Sequence, residues 1–363
     1  MAEAPAEMPP YCPEPHCISH RIPGIWSFKK KGFFRRQHAP FSVQRYVCQQ
    51  CGRNFSTQTY SVTYWLREPG LLGALFWRVL ACSAYRQIAQ ELKVSHTTVQ
   101  RQVERLGRHC LLLHEKLRPL GPPREALVLD GLRSFEASQY WPFDLNVLVG
   151  SSHFIYGFND AELRRSGSMK PGQRRKRSRL EQRFGKPAPQ ATRSAVEELL
   201  GRIVPLGASA RLDCDEHRAY PQALRRLKDR RIELRQTSSR EARTLANPLF
   251  PANLADLLLR HTGANHKRET IAFSKRRQSA LYRAAIWTVW RNYVKSSSER
   301  LRSPPPGVRL GVIPERLRIE AILVRRIFVW RVPLGEWLTR CYYARIPTRC
   351  LPEAREHRRR YAI

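Results

Sequence analysis

Three apolar stretches follow one another closely at residues 126–130, 144–150 and 153–158, with turn-forming residues between them. Their spacing predicts three consecutive strands joined as a meander. Residues 195–203 then read as a helix, 210–215 as a strand, 216–226 as a helix and 231–235 as a short strand. Three strands followed by helix–strand alternation restrict the chain to α/β architectures with one mixed sheet.

Acids stand at the ends of two of these strands. Asp130 closes the run Ala126-Leu127-Val128-Leu129-Asp130 and precedes Gly131, where the backbone can turn sharply. Asp215 closes Ala210-Arg211-Leu212-Asp213-Cys214-Asp215. Asp213 shares the face of Asp215, two residues away, as a supporting or structural carboxylate. A third acid comes from the helical pattern after Asn247-Pro248. It is Asp256, in Asn253-Leu254-Ala255-Asp256, or alternatively Glu269, in His266-Lys267-Arg268-Glu269-Thr270. Hard carboxylate oxygens suit Mg²⁺ or Mn²⁺.

The acids sit in a chain with 65 Lys and Arg against 30 Asp and Glu, a formal net charge of +35. A compact fold this cationic repels itself unless a polyanion relieves it, which points to DNA as partner. Carboxylates inside a cationic surface fit two-metal phosphoryl transfer on DNA. Residues 163–186 form a basic insert with ten Lys and Arg and one acid, able to track a phosphate backbone.

Two cysteine pairs lie near the N-terminus, Cys12 with Cys17 and Cys48 with Cys51, and Gly52 follows the last. Two thiolate pairs on two turns can close a tetrahedral structural Zn²⁺ site, a zinc ribbon; His16, His20 or His38 could replace one ligand. Five further scattered cysteines suit reduced thiols more than a disulfide framework. The segment between the pairs interleaves Lys29, Lys30, Lys31, Arg35 and Arg36 with Phe28, Phe33 and Phe34. Residues 85–101 carry a helix-turn-helix pattern. Ile88, Ala89 and Leu92 form an apolar face, Ser95 is an N-cap, and Val99 and Val103 continue the stripe. His96, Thr97, Gln100 and Arg101 then lie at the exposed start of the second helix, where side chains can reach base edges and phosphates.

The expected layout is a disordered leader at 1–10, a zinc ribbon at 11–58 and a helix-turn-helix domain at 70–118. A ribonuclease-H-like α/β domain with flanking helices follows at 124–300, after Gly121-Pro122-Pro123, and a basic C-terminal tail at 301–363. In that fold outline the first acid lies on the first strand, the second at the end of the adjacent fourth strand, and the third on a later helix. No apolar stretch reaches about 18 residues and no signal peptide is visible, so no membrane role is expected. A prokaryotic, nucleoid-associated cytoplasmic location fits this pattern.

Ribbon, helix-turn-helix and acidic domain, in this order, resemble bacterial insertion-sequence transposases with a DDE-type catalytic domain. The stretches Arg268-Glu269-Thr270-Ile271-Ala272-Phe273-Ser274-Lys275-Arg276 and Trp290-Arg291-Asn292-Tyr293-Val294-Lys295 add to the likeness, which covers residues 11–312. It implies DNA strand cleavage and transfer without a covalent enzyme–DNA intermediate, by an assembly of at least two chains. It matches Asp130 to the first acid and Asp215, followed by His217 and Tyr220, to the second. Asn253, Asp256 and Arg260 match the third motif, with Asp where Glu is typical. Two other readings stand beside it: a non-catalytic DNA-binding regulator, and another ribonuclease-H-like nuclease.

Overall fold

The computed structural model describes residues 9–22, 26–238, 240–267 and 270–357. The leader expected at 1–10 and the alternative acid Glu269 lie wholly or mostly outside the described residues. A short helix α1 (Ile18–Arg21) precedes a three-stranded antiparallel sheet of β1 (Phe28–Arg35), β2 (Ser42–Cys48) and β3 (Asn54–Ser56), in the order β1-β2-β3. The core of this sheet is small: Tyr46 and Phe55 stack beside Cys12, Cys17 and Cys48.

Three helices follow, α2 (Leu71–Leu80), α3 (Tyr85–Glu91) and the long α4 (His96–Leu117). The α3–α4 turn forms as the sequence predicts. The Ser95 hydroxyl caps α4 by accepting from the Thr98 N–H at 3.1 Å, and Ile88, Ala89, Val99 and Val103 are buried together.

The main sheet contains β4 (Leu127–Phe135), β5 (Pro142–Gly150), β6 (Ile155–Glu162), β7 (Ser209–Cys214) and β8 (Arg231–Gln236), ordered β6-β5-β4-β7-β8. The first three strands form the expected antiparallel meander, and β7 and β8 run parallel to β4. The strands are longer than their apolar runs. Pairing of β4 with β5 continues through Arg133–Asp144 to Phe135–Pro142, because polar residues on one strand face partners on the other. The basic insert contains α5 (Pro171–Phe184), and α6 (Ala191–Ile203) lies against β5 and β6. After β7 comes α7 (Ala219–Leu224), packed on α6, and after β8 comes α8 (Phe250–Thr262), packed on β4 and β5.

Helix α9 (Arg277–Val289) runs into a π turn at Trp290–Val294 and packs along α4. Gly107 permits this contact: a Cβ there would sit 2.4 Å from the Tyr282 Cβ. The C-terminal segment holds three short helices, α10 (Pro306–Arg309), α11 (Ile319–Val324) and α12 (Glu336–Tyr342). Ile313, Ile322, Trp337 and Leu338 from this segment join the main core, so its apolar residues pack inward while its arginines carry the charge. That core runs without a break from Leu75 on α2 to Ile346. Among the described residues no helix is long and apolar enough to cross a membrane.

Candidate functional site

The register of two parallel strands brings the first two acids together. Leu129 on β4 pairs with Cys214 on β7, and the next residues along the two strands are Asp130 and Asp215. Adjacent strands lie about 4.8 Å apart, so both side chains leave the sheet at nearly one place.

Helix α8 supplies the third acid by running alongside β4. Val128 packs on Leu249 and Ala252. Asp130 lies two residues beyond Val128 and shares its face of the sheet, while Asp256 lies four residues beyond Ala252 and shares its face of the helix. A further turn on, Arg260 reaches to 3.5 Å from the Arg133 carbonyl oxygen. Strand and helix therefore advance together, and the acids on each lie near enough for Asp130 to act on Asp256 as a charge.

The electrostatics agree with this placement. Burial raises the Asp130 carboxyl above its ordinary value. The Gly131 N–H, donating at 2.7 Å, opposes the shift, and the charges of Asp215 and Asp144 add to it. Asp256 is raised well above its ordinary value by burial first and by Asp130 next, against Arg260. Its Oδ1 is buried and has no hydrogen-bond partner. Asp215 is held by the His217 N–H, which donates to Oδ1 at 2.9 Å. The His217 ring contacts Tyr220 edge-on at 5.8 Å.

A fourth acid, Asp144 on β5, belongs to the same group and was not singled out in the sequence. Burial raises its carboxyl against the opposing effect of Arg133. Arg133 binds it with two bonds of 3.0 and 3.1 Å. The only signal for it was its position at the start of the strand that pairs with β4. Arg243 also acts on Asp130 and Asp256 as a favourable charge. Asp213 turns inward, 2% exposed, beside Arg211 at 3.3 Å.

Of Asp130, Asp144, Asp215 and Asp256, only Asp144 is ion-paired among the described residues. These acids, like charges near one another in a partly dry site with one oxygen orphaned, are residues that could hold a divalent cation. The acids are more open than the cysteines. Among the described residues, the one group of three or more ligating side chains with all its ligand atoms within 4.8 Å of one another is Cys12, Cys17, Cys48 and Cys51.

In that quartet Cys12 and Cys51 lie 3.6 Å apart and Cys17 and Cys48 3.8 Å. Tetrahedral ligation with Zn–S bonds of about 2.3 Å requires sulfurs about 3.8 Å apart, whereas a disulfide requires about 2.05 Å. The four cysteines could therefore bind zinc. His20 is not part of the group: its Nδ1 lies 2.6 Å from the Cys12 carbonyl oxygen. On the face of β1 and the hairpin beyond it, Lys29, Lys30, Lys31, Phe33 and Arg35 are exposed.

Of the four residues expected to read DNA, His96, Thr97 and Arg101 are exposed on the first turns of α4. Gln100 is half-buried and donates to Glu104 at 2.9 Å.

No protein-family model and no curated protein matches the chain. Among solved structures, the chain is similar to one from the cryo-EM structure of the simian T-cell lymphotropic virus intasome in complex with PP2A regulatory subunit B56 gamma. The identity is 12%, over 72% of this chain and 75% of that chain, with a TM-score of 0.23. A likeness of that size establishes neither fold family nor activity.

Proposed function

We propose that this chain is a DDE-type transposase, with Asp in the third position, that cleaves and joins DNA strands at the ends of an insertion sequence. What supports the reading is that Asp130 and Asp215 follow paired positions on two adjacent parallel strands, and that Asp256, on the helix beside them, feels the charge of Asp130. The sheet order β6-β5-β4-β7-β8, antiparallel then parallel, supports a ribonuclease-H-like catalytic domain. The net charge of +35 supports a polyanionic substrate.

Asp130 and Asp215 would hold the Mg²⁺ or Mn²⁺ ions, and Asp256 would complete the second site. When bound, the ions would activate water and then a 3′-hydroxyl and offset charge on the leaving oxygen. The His217 N–H fixes the Asp215 rotamer, and Arg133 holds Asp144 beside the group. The orphaned Oδ1 of Asp256 is free to ligate. The sequence-defined units keep their roles in this reading. Residues 11–58 form a ribbon around structural Zn²⁺, 70–118 read the terminal repeats, and 124–300 carry the chemistry. The C-terminal segment braces the core through Ile313, Ile322, Trp337 and Leu338, and at least two chains assemble to pair two DNA ends. His96, Thr97 and Arg101 make the contacts on DNA, and Gln100 joins them by exchanging Glu104 for a base edge. Exposed α5 tracks phosphates.

The test is joining of a pre-cleaved element end to plasmid DNA in Mn²⁺. Wild type joins, while Asp130→Asn and Asp215→Asn bind the end and do not join it. Binding without joining by wild type would leave a DNA-binding regulator as the better reading.

A further inference from the structure

A second constellation lies near the first turn of α8. Where α9 widens into the π turn at Trp290–Val294, Arg291 is 3% exposed. The neighbouring Asn292 clamps the turn to the start of β6, accepting from the Ile155 N–H at 2.9 Å and donating to the Ile155 carbonyl at 2.8 Å. From the opposite side α10 approaches closely. A Cβ at Gly307 would lie 2.8 Å from the Asn292 carbonyl oxygen, so α10 can rest on the turn only because residue 307 lacks a side chain. That contact delivers Arg309. The β5–β6 turn delivers His153, whose φ of 68° is left-handed and whose ring lies 6.0 Å from Phe250, the first residue of α8.

Arg291 has no carboxylate partner among the described residues, and its Nη1 is buried without an acceptor. The Nδ1 of His153 is likewise buried without a partner. The nearby acid Glu125 is occupied: it accepts from the Ser151 and Ser152 hydroxyls at 3.0 and 2.9 Å and from the Tyr156 hydroxyl at 3.0 Å. Burial, then the charge of Arg309, brings the Arg291 guanidinium down to about 10. His153 is lowered by burial, then by Arg291 and Arg309, against Glu125. A desolvated guanidinium that feels the charge of a second one, with no acceptor, is unfavourable as it stands. A tetrahedral oxyanion answers it, because it offers several charged acceptors to a guanidinium fork. π turns also occur often at functional sites.

We infer that Arg291, Arg309 and His153 form a binding site for a phosphate oxyanion. Two sources carry this chemistry: a backbone phosphodiester of DNA and free inorganic phosphate. Phe250 precedes Asp256 by six residues, about 9 Å along the helix, so the cluster is close enough to the acids for one DNA strand to span both. The DNA source rests on the function proposed above; the oxyanion site does not.

The full chain is to be melted in millimolar inorganic phosphate against chloride at equal ionic strength, and its affinity for an end duplex measured against salt. Two variants accompany wild type. Arg309→Ala changes an exposed residue, and Arg291→Met removes the buried charge. Phosphate raises the wild-type Tm in a saturable manner and does so in neither variant. Without phosphate, Arg291→Met melts no lower than wild type, since no partner is lost. If the source is DNA, the slope of log affinity against log salt falls by about one for Arg309→Ala. If it is free phosphate, the Tm response appears and the slope is unchanged. A wild type that responds to phosphate no more than to chloride, with an unchanged slope, overturns the site. So does an Arg309→Ala variant that keeps the full phosphate response. Asp130→Asn keeps the phosphate response whether or not wild type joins DNA, so failure of the transposase reading shows separately.

Discussion

At the level of single residues, Asp256 is a carboxyl in an unfavourable place. It is raised by burial and by Asp130, and one of its oxygens has no partner. A carboxyl whose folded value is raised binds its proton more tightly in the folded state than in the unfolded one. Its contribution to stability is therefore greatest at low pH and declines as pH climbs from about 4 through the raised value. Asp256→Asn removes that decline. Metal-free Asp256→Asn should melt higher than wild type at neutral pH and lose strand joining, as read by thermal melts across pH and by the joining assay. A variant that melts lower at every pH would make Asp256 a structural group. The sequence singles out Asp130 and Asp215 because each closes a strand pattern. Asp144 stayed hidden because nothing local separates a strand-starting Asp that holds an arginine from one that also faces other acids. Arg291 stayed hidden too, since a basic residue in a helical pattern reads as surface until packing buries it.

Among the elements, α4 does two things at once. Its first turns present His96, Thr97 and Arg101 to solvent, and its later turns lie against α9. Gly107 marks the contact. By helix propensity alone, Gly107→Ala in α4 would stabilise by about 1 kcal/mol. The added Cβ would meet the Tyr282 Cβ at 2.4 Å and Cα at 2.9 Å, so the contact must open. We predict the opposite sign, a net loss of about 1–3 kcal/mol in denaturant unfolding. The three-stranded N-terminal unit depends on its cysteines for a different reason. Its apolar core is Tyr46 and Phe55 with a few partly buried aromatics, too little to fold without added support. Wild type should contain one zinc per chain by elemental analysis. Cys48→Ser should lose it, and rapid proteolysis within residues 11–58 should follow. Full zinc retention in Cys48→Ser would remove the quartet from the account. The Ser95 cap and the cysteine quartet were both legible in advance, because each is a local chemical pattern. Element ends were less so. β4 and β5 extend beyond their apolar cores because cross-strand partners, which sequence periodicity does not show, sustain the pairing.

Over the whole molecule, one apolar core joins the helix-turn-helix to the main sheet and to the C-terminal segment. The sequence shows Gly121-Pro122-Pro123 as a break in pattern, yet α4 before it and α9 far after it pack together. Contacts between such distant parts have no local signature, which is why the continuity was not legible. The C-terminal segment reads as basic because its arginines interrupt every apolar run, although Ile313, Ile322, Trp337 and Leu338 turn inward. The order of strands was legible, since three close strands and a later alternation leave few topologies. The chain around this frame carries a net charge of +35, and the four acids form a small negative group within it. A DNA strand drawn to the cationic surface would meet carboxylates at one place, where divalent ions reverse the local charge. Counting Mn²⁺ bound to the full chain with an end duplex, by electron paramagnetic resonance, tests this most directly. The account predicts two ions per chain in wild type, fewer in Asp256→Asn, and none at this site in an Asp130→Asn, Asp215→Asn double variant. Equal Mn²⁺ binding by wild type and the double variant would contradict it.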